Sequence, residues 1–256
     1  PVRTASAGTF TSLAYPNSQY ADNPALRASG YFSEQSYRSV DAARQLRLAR
    51  LQQSETLPMR AAQMARLATV RSSELELDGL LGLLPAQVSG GLKGQAEVAI
   101  AAFASGLAVS ANLNLGGFDT HGNHDEDQTA ALTELLEGID HLWEQIVLRG
   151  LQDRVTVVIG SDFGRTPFYN TGDGKDHWNI TSIMAMGAGI TGNRVIGGTD
   201  VNFEARNLNP DTLEVHSGGI IVTPKHVHRA LRDFIGVSTE LDNLYPLNVE
   251  KLALFA

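Results

Sequence analysis

Apolar positions recur along this chain with two periods, and the change from one to the other marks most of its elements. From Ser39 to about Gln53, and from Pro58 to about Ser72, the Ala/Leu/Arg/Gln-rich pattern predicts two helices, with Pro58 in a first turn where its missing N–H costs nothing. Ala96 to Ala108 predicts a buried helix that delivers a buried strand at Val109 to Leu115. Leu132, Leu135, Leu136, Ile139, Leu142, Trp143, Ile146 and Val147 then recur at helical spacing, and Gly150 ends that helix. Val155 to Ile159 is apolar and β-branched almost throughout, as a strand covered on both faces should be. Ile183 to Met186 predicts a third strand. Thr223 and Pro224 open a last helix with Val227, Ala230, Leu231, Phe234 and Ile235 on one face, and Gly236 closes it. Helix, strand, helix, strand in this order implies right-handed crossovers. The fold class expected is α/β, with the strands near 109–115, 155–159 and 183–186 as parallel members of one sheet.

The rest of the chain lacks periodicity. Residues 1 to about 36 are rich in Ser, Ala, Asn, Tyr and Gly and predict an irregular segment wrapped over another surface. Gly79 to Gly91 turns the chain into the main domain. After Arg194 to Gly198, a polar run through Asn202, Asn207, Asn209, Pro210 and Asp211 predicts a surface excursion. The organisation expected is a helical and irregular segment over 1–92 packing on an α/β domain over 93–256. There is no internal repeat, no dinucleotide fingerprint and no phosphate-cradling loop.

Composition narrows the classes. A chain of 256 residues with 43% hydrophobic content can bury a full core. No apolar run reaches the roughly 18 residues of a membrane span. The net charge of −8 argues against a nucleic-acid binder, although eight arginines fall between Arg27 and Arg71. That segment is expected to form solvated helix faces beside the main domain. With no cysteine, disulfides and thiolate sites are excluded. The chain begins at Pro1 without an initiator Met, so an upstream segment of the same protein is expected.

Chemistry concentrates where the apolar runs end. Two glycines, Gly116 and Gly117, precede Asp119, His121 and His124, a spacing of carboxylate and imidazole that suits a metal ion. The plainer account is a polar loop whose acid caps the next helix. Past the second run come Ser161, Asp162 and Arg165, then Asp176 and His177 ahead of the third. In an open α/β sheet these three connections would converge at one edge. A local salt bridge between Asp162 and Arg165 is the alternative for that pair, and a satisfied structural imidazole is the alternative for His177. His141, His216, His226 and His228 read as ordinary surface or core residues.

Gly116 to Asn123 (GGFDTHGN), Ser161 to Pro167 (SDFGRTP) and Lys175 to Trp178 (KDHW) together resemble the motifs of a bacterial, twin-arginine-exported, sulfatase-like family of unknown function in the alkaline phosphatase superfamily. The resemblance spans roughly residues 96 to 240 and takes in the TPKHVHRAL helix. It implies an α/β/α sandwich of which this chain is the carboxyl-terminal part, a periplasmic or extracellular location, and metal ligands at the strand ends. Asp119 and His121 correspond by motif to one metal site, Asp162 to the acid of a second or bridging site, and His177 to a late histidine ligand. Two departures stand out. Phe163 occupies the place where metallophosphatases carry a histidine, and no segment matches the first strand that would bring a further ligand and the nucleophile.

The function expected on this basis is metal-dependent hydrolysis of a phosphate or sulfate ester. The cofactor would be a divalent ion (zinc, calcium, magnesium or manganese), and the partner an anionic ester substrate. Arg165 would clamp the anion, and His177 would ligate metal or shuttle protons. Ser161, His124 and Asp176 are further candidates around the site. The rival is a non-catalytic exported binding or assembly protein on the same fold.

Overall fold

The computed structural model describes residues 4–6, 34–65 and 79–255. Its elements in order are β1 (Thr4–Ser6), α1 (Glu34–Ser54), α2 (Gly91–Ala104), β2 (Ser110–Asn112), α3 (His124–Leu148), β3 (Thr156–Ile159), β4 (Gly164–Arg165), β5 (His177–Trp178), β6 (Met184–Gly187), α4 (Pro224–Phe234) and α5 (Thr239–Leu244). Residues 58–65 are also helical. The remainder of the second expected helix, and most of the expected irregular amino-terminal segment, lie outside the described residues. The chain divides into two compact units, residues 1–115 with 134–149, and residues 116–133 with 150–256.

The first unit is built on α2. Ala96, Val98, Ala99, Ile100, Ala101 and Ala102 are all buried, on a helix that carries no polar side chain from Val98 to its end. Leu80, Val98, Ala101, Ala102 and Ala108 form its core, with Leu83, Leu84, Val88, Phe103 and Leu107 packed on them. Gly138 of α3 lets the helices approach closely: a Cβ there would stand 2.4 Å from Leu92 Cδ2. One carboxylate lies inside this packing. Burial pushes the Glu97 carboxyl up, but the Ser89 hydroxyl and amide and the His141 imidazole outweigh burial and hold it below the usual carboxylate range. His141 therefore has an acidic partner from another helix, which its sequence neighbours did not reveal. In α1 the described positions are exposed except Leu48. No helix among the described residues is long and apolar enough to cross a membrane.

In the second unit, β3 pairs with β6, with Thr156 opposite Gly187 and Ile159 opposite Met184. The pair is antiparallel, which overturns the expected sheet. Among the described residues there is no mainly parallel α/β/α sandwich. There are three two-stranded sheets: β1–β2, parallel, and β3–β6 and β4–β5, both antiparallel. The reason lies in the connection. Parallel neighbours need a crossover of a dozen or more residues, usually a helix. Between Ile159 and Met184 the chain forms only β4, β5 and loops, so it returns alongside β3 in the opposite direction. The expected strand at 109–115 shrinks to Ser110–Asn112 and pairs with Thr4–Ser6 in a separate sheet. Nor is β3 covered on both faces, since Val158 is 40% exposed.

The helices keep closer to their patterns. α3 starts at His124 with Asp125, Glu126 and Asp127 in its first turn, where the helix dipole favours anions, and Gly150 follows its end at φ +63°. α4 starts after Thr223 with Pro224 in its first turn. His226, buried on α4, receives the Thr223 backbone N–H at Nδ1 (3.0 Å) and faces Glu250 with Nε2 (3.1 Å).

Candidate metal centre

Three backbone segments of the second unit are laced together around the GGFDTHGN and KDHW motifs. Lys175 N–H donates to Thr120 C=O (3.0 Å) and His124 N–H to Asp173 C=O (2.9 Å), joining the segments at 120–124 and 173–175. β4 and β5 then pair Arg165 with His177, and Thr166 N–H donates to Asp176 C=O at 2.9 Å. Thr166, itself buried, accepts the Asp176 amide on its hydroxyl (3.1 Å). Gly174 sits where the first two segments press closest. A Cβ there would stand 1.9 Å from the His121 carbonyl oxygen and 2.4 Å from the Gly122 nitrogen. Only a residue without a side chain fits.

This lacing brings Asp119, His121 and His177 together, with their ligand atoms all within 4.8 Å of one another. His121 Nε2 lies 3.0 Å from His177 Nε2 and 3.1 Å from Asp119 Oδ1, and His177 Nε2 lies 3.5 Å from the same oxygen. Zinc bonds of about 2.0–2.1 Å opened to the tetrahedral angle put neighbouring donors about 3.3 Å apart. The triangle therefore has the dimensions of one face of a metal coordination shell. All three residues are exposed, which leaves the opposite side open.

The groups behind the triangle fit the same purpose. His121 Nδ1 lies 3.0 Å from Asp176 Oδ1. Asn170 and then His121, by hydrogen bonding to it, hold the Asp176 carboxyl below its usual range, so it is ionised and can only accept. The Nδ1–H of His121 is then the donor, and its Nε2 faces Asp119 and His177, with Arg165 Nη1 donating to it at 3.4 Å. A carboxylate behind a ligating imidazole is the usual outer partner of a metal-bound histidine. His177 is held differently, by Phe163 stacked on its ring at 3.8 Å. Phe163, the departure noted in the motif, thus steadies a ligand candidate.

Arg165 braces the third donor. Its Nη2 donates to Asp119 Oδ1 at 2.6 Å, which holds that carboxyl below its usual range. Its Nε donates to Phe118 C=O and its Nη1 to Lys175 C=O. The guanidinium is directed at protein acceptors and its side chain is only 13% exposed. Its acidic partner is Asp119, where a local bridge to Asp162 was the alternative.

Other expected site residues lie apart from the triangle. Asp162 is exposed and outside the donor group. Ser161 donates its hydroxyl to Phe163 C=O (2.9 Å), a local turn. His124, half-buried at the start of α3, faces Thr120 Oγ1 at 2.7 Å, and burial holds its imidazole below the usual value. Asn170, which the sequence reading missed, lies at the centre of the lacing. Its Nδ2 donates to His121 C=O and to Asp176 Oδ1, both at 3.1 Å, while its Oδ1 accepts from Gly172 and Gly174 N–H.

The family described as Protein of unknown function (DUF1501) matches residues 32–217, and the chain belongs to that family. The match carries no indication of a sulfatase-like protein or of the alkaline phosphatase superfamily, which overturns the expected resemblance. No curated protein and no solved structure matches the chain.

Proposed function

We propose that the second unit binds one divalent transition-metal ion through Asp119, His121 and His177 and uses it to hydrolyse a phosphate or sulfate ester. The observation that carries the reading is the donor triangle, with edges of 3.0, 3.1 and 3.5 Å and an exposed outer side. Two imidazoles and one carboxylate suit zinc better than calcium or magnesium, which take shells of oxygen. Three protein ligands with an open position are the pattern of catalytic rather than structural zinc. An ion held there would polarise an ester oxygen and acidify a water molecule. Within the chain, Asp176 fixes the His121 tautomer, Phe163 steadies the His177 ring and Arg165 keeps Asp119 ionised and in place.

The second reading, a non-catalytic binding protein, is favoured by Arg165, whose guanidinium is occupied with protein acceptors. Assays with p-nitrophenyl phosphate and p-nitrophenyl sulfate separate the two. Hydrolysis of either that is abolished by chelation and restored by zinc is the expected result. Stoichiometric zinc binding without turnover of either ester would sink the enzyme and leave the binding protein.

A further inference from the structure

The amide of Asn170 uses its two ends for two different tasks. Its Oδ1 accepts from the backbone N–H groups of Gly172 (2.9 Å) and Gly174 (3.0 Å), beside a bond from the Asn170 backbone N–H to Gly174 C=O (2.8 Å). These bonds close the turn at 170–174. Its Nδ2 points the other way, to the His121 carbonyl and the Asp176 carboxylate, both at 3.1 Å. The orientation of the amide is not interchangeable. Reversed, it would set NH₂ against two backbone N–H groups and oxygen against a carbonyl and a carboxylate.

We infer that Asn170 is a positioning residue of the metal centre, whose Nδ2 arm fixes the His121–Asp176 pair and so aims His121 Nε2 at the ion. The inference rests on the metal reading above. His121 and Asp176 come from segments 55 residues apart, and Asn170 touches both. Asp176 alone could still accept from His121 Nδ1. Without the Nδ2 arm, however, the Asp176 carboxylate and the His121 carbonyl lose the side chain that ties them to each other. Outer-shell partners of this kind are worth about 10–100-fold in metal affinity.

Asn170→Asp is the discriminating variant. It keeps an oxygen for the Gly172 and Gly174 amides but loses the donor arm, and it sets a like charge against Asp176. Asn170→Ala removes both arms. Zinc affinity, the visible spectrum of the cobalt-loaded protein and the thermal midpoint are measured for the wild type and both variants. The expected result is about 10–100-fold weaker zinc binding and an altered cobalt spectrum in Asn170→Asp, with the metal-free midpoint lowered less than in Asn170→Ala. Asn170→Ala should weaken zinc similarly and also lower the midpoint. Wild-type affinity and spectrum in Asn170→Asp would overturn the inference and leave the metal site standing. Weaker zinc binding accompanied by a midpoint as low as that of Asn170→Ala would assign Asn170 to loop structure alone, which also overturns it. A wild-type chain that binds neither ion would remove the metal reading itself and this inference with it.

Discussion

Replacing His177 with alanine is expected to abolish tight zinc binding while the protein stays folded. The side chain is 52% exposed, and its ring meets the Phe163 stack and the tilted His121 ring. Losing such a stack costs on the order of 1 kcal/mol, too little to unfold a domain of ordinary stability. The coordination loss is far larger. Two donors, Asp119 and His121, remain from the triangle, and affinity should fall by more than the about 10–100-fold that a missing outer partner costs. Zinc titration beside a thermal melt checks this. A large fall in the melting midpoint with unchanged metal affinity would mean that His177 packs the loops and ligates nothing.

Gly174→Val should do the opposite, damaging the fold of the second unit and the site together. The atoms that a Cβ would meet at 1.9–2.4 Å belong to the backbone of His121 and Gly122 and cannot rotate away. Relief requires the segments at 120–124 and 173–175 to part, breaking the Lys175–Thr120 and His124–Asp173 hydrogen bonds. Overpacking of this kind costs about 1–3 kcal/mol. It also draws His121 away from Asp176, so zinc affinity should fall with stability. Urea denaturation and zinc titration of the same variant test the pair of effects. Wild-type values for both would show that the two segments are not wedged as tightly as described.

These two positions show what could be read from residues alone. Asp119, His121 and His177 were legible because acid and imidazole crowd where apolar runs end, and that signal survives without any knowledge of strand direction. Asp162 satisfied the same rule and yet lies outside the group, because the rule assumed one parallel sheet whose strand ends share an edge. An apolar, β-branched run such as 155–159 reports burial but carries no sign of direction. Direction is set by the connection, and a stretch from 160 to 183 without helical periodicity was the available signal that no crossover was present. The helices fared better, because caps and 3.6-residue spacing are local. Pro224 and Gly150 mark boundaries that the structure keeps.

Asn170 and Arg165 mark the other limit. Asn170 is one polar loop residue among several, and its importance comes from bonds to two backbone turns and a carboxylate. Nothing in its neighbours announces that role. Arg165 was visible as chemistry, but its partner was not. A guanidinium beside Asp162 in sequence reaches Asp119, 46 positions away, because β4 pairs with β5 and the segment just before β5 is hydrogen-bonded to the loop at 120–124.

The most direct test of the metal centre is the zinc content of the purified chain after loading and removal of free ion, read by elemental analysis. One zinc per chain is the result that a single Asp119–His121–His177 shell predicts. Two ions per chain, or none, would contradict it.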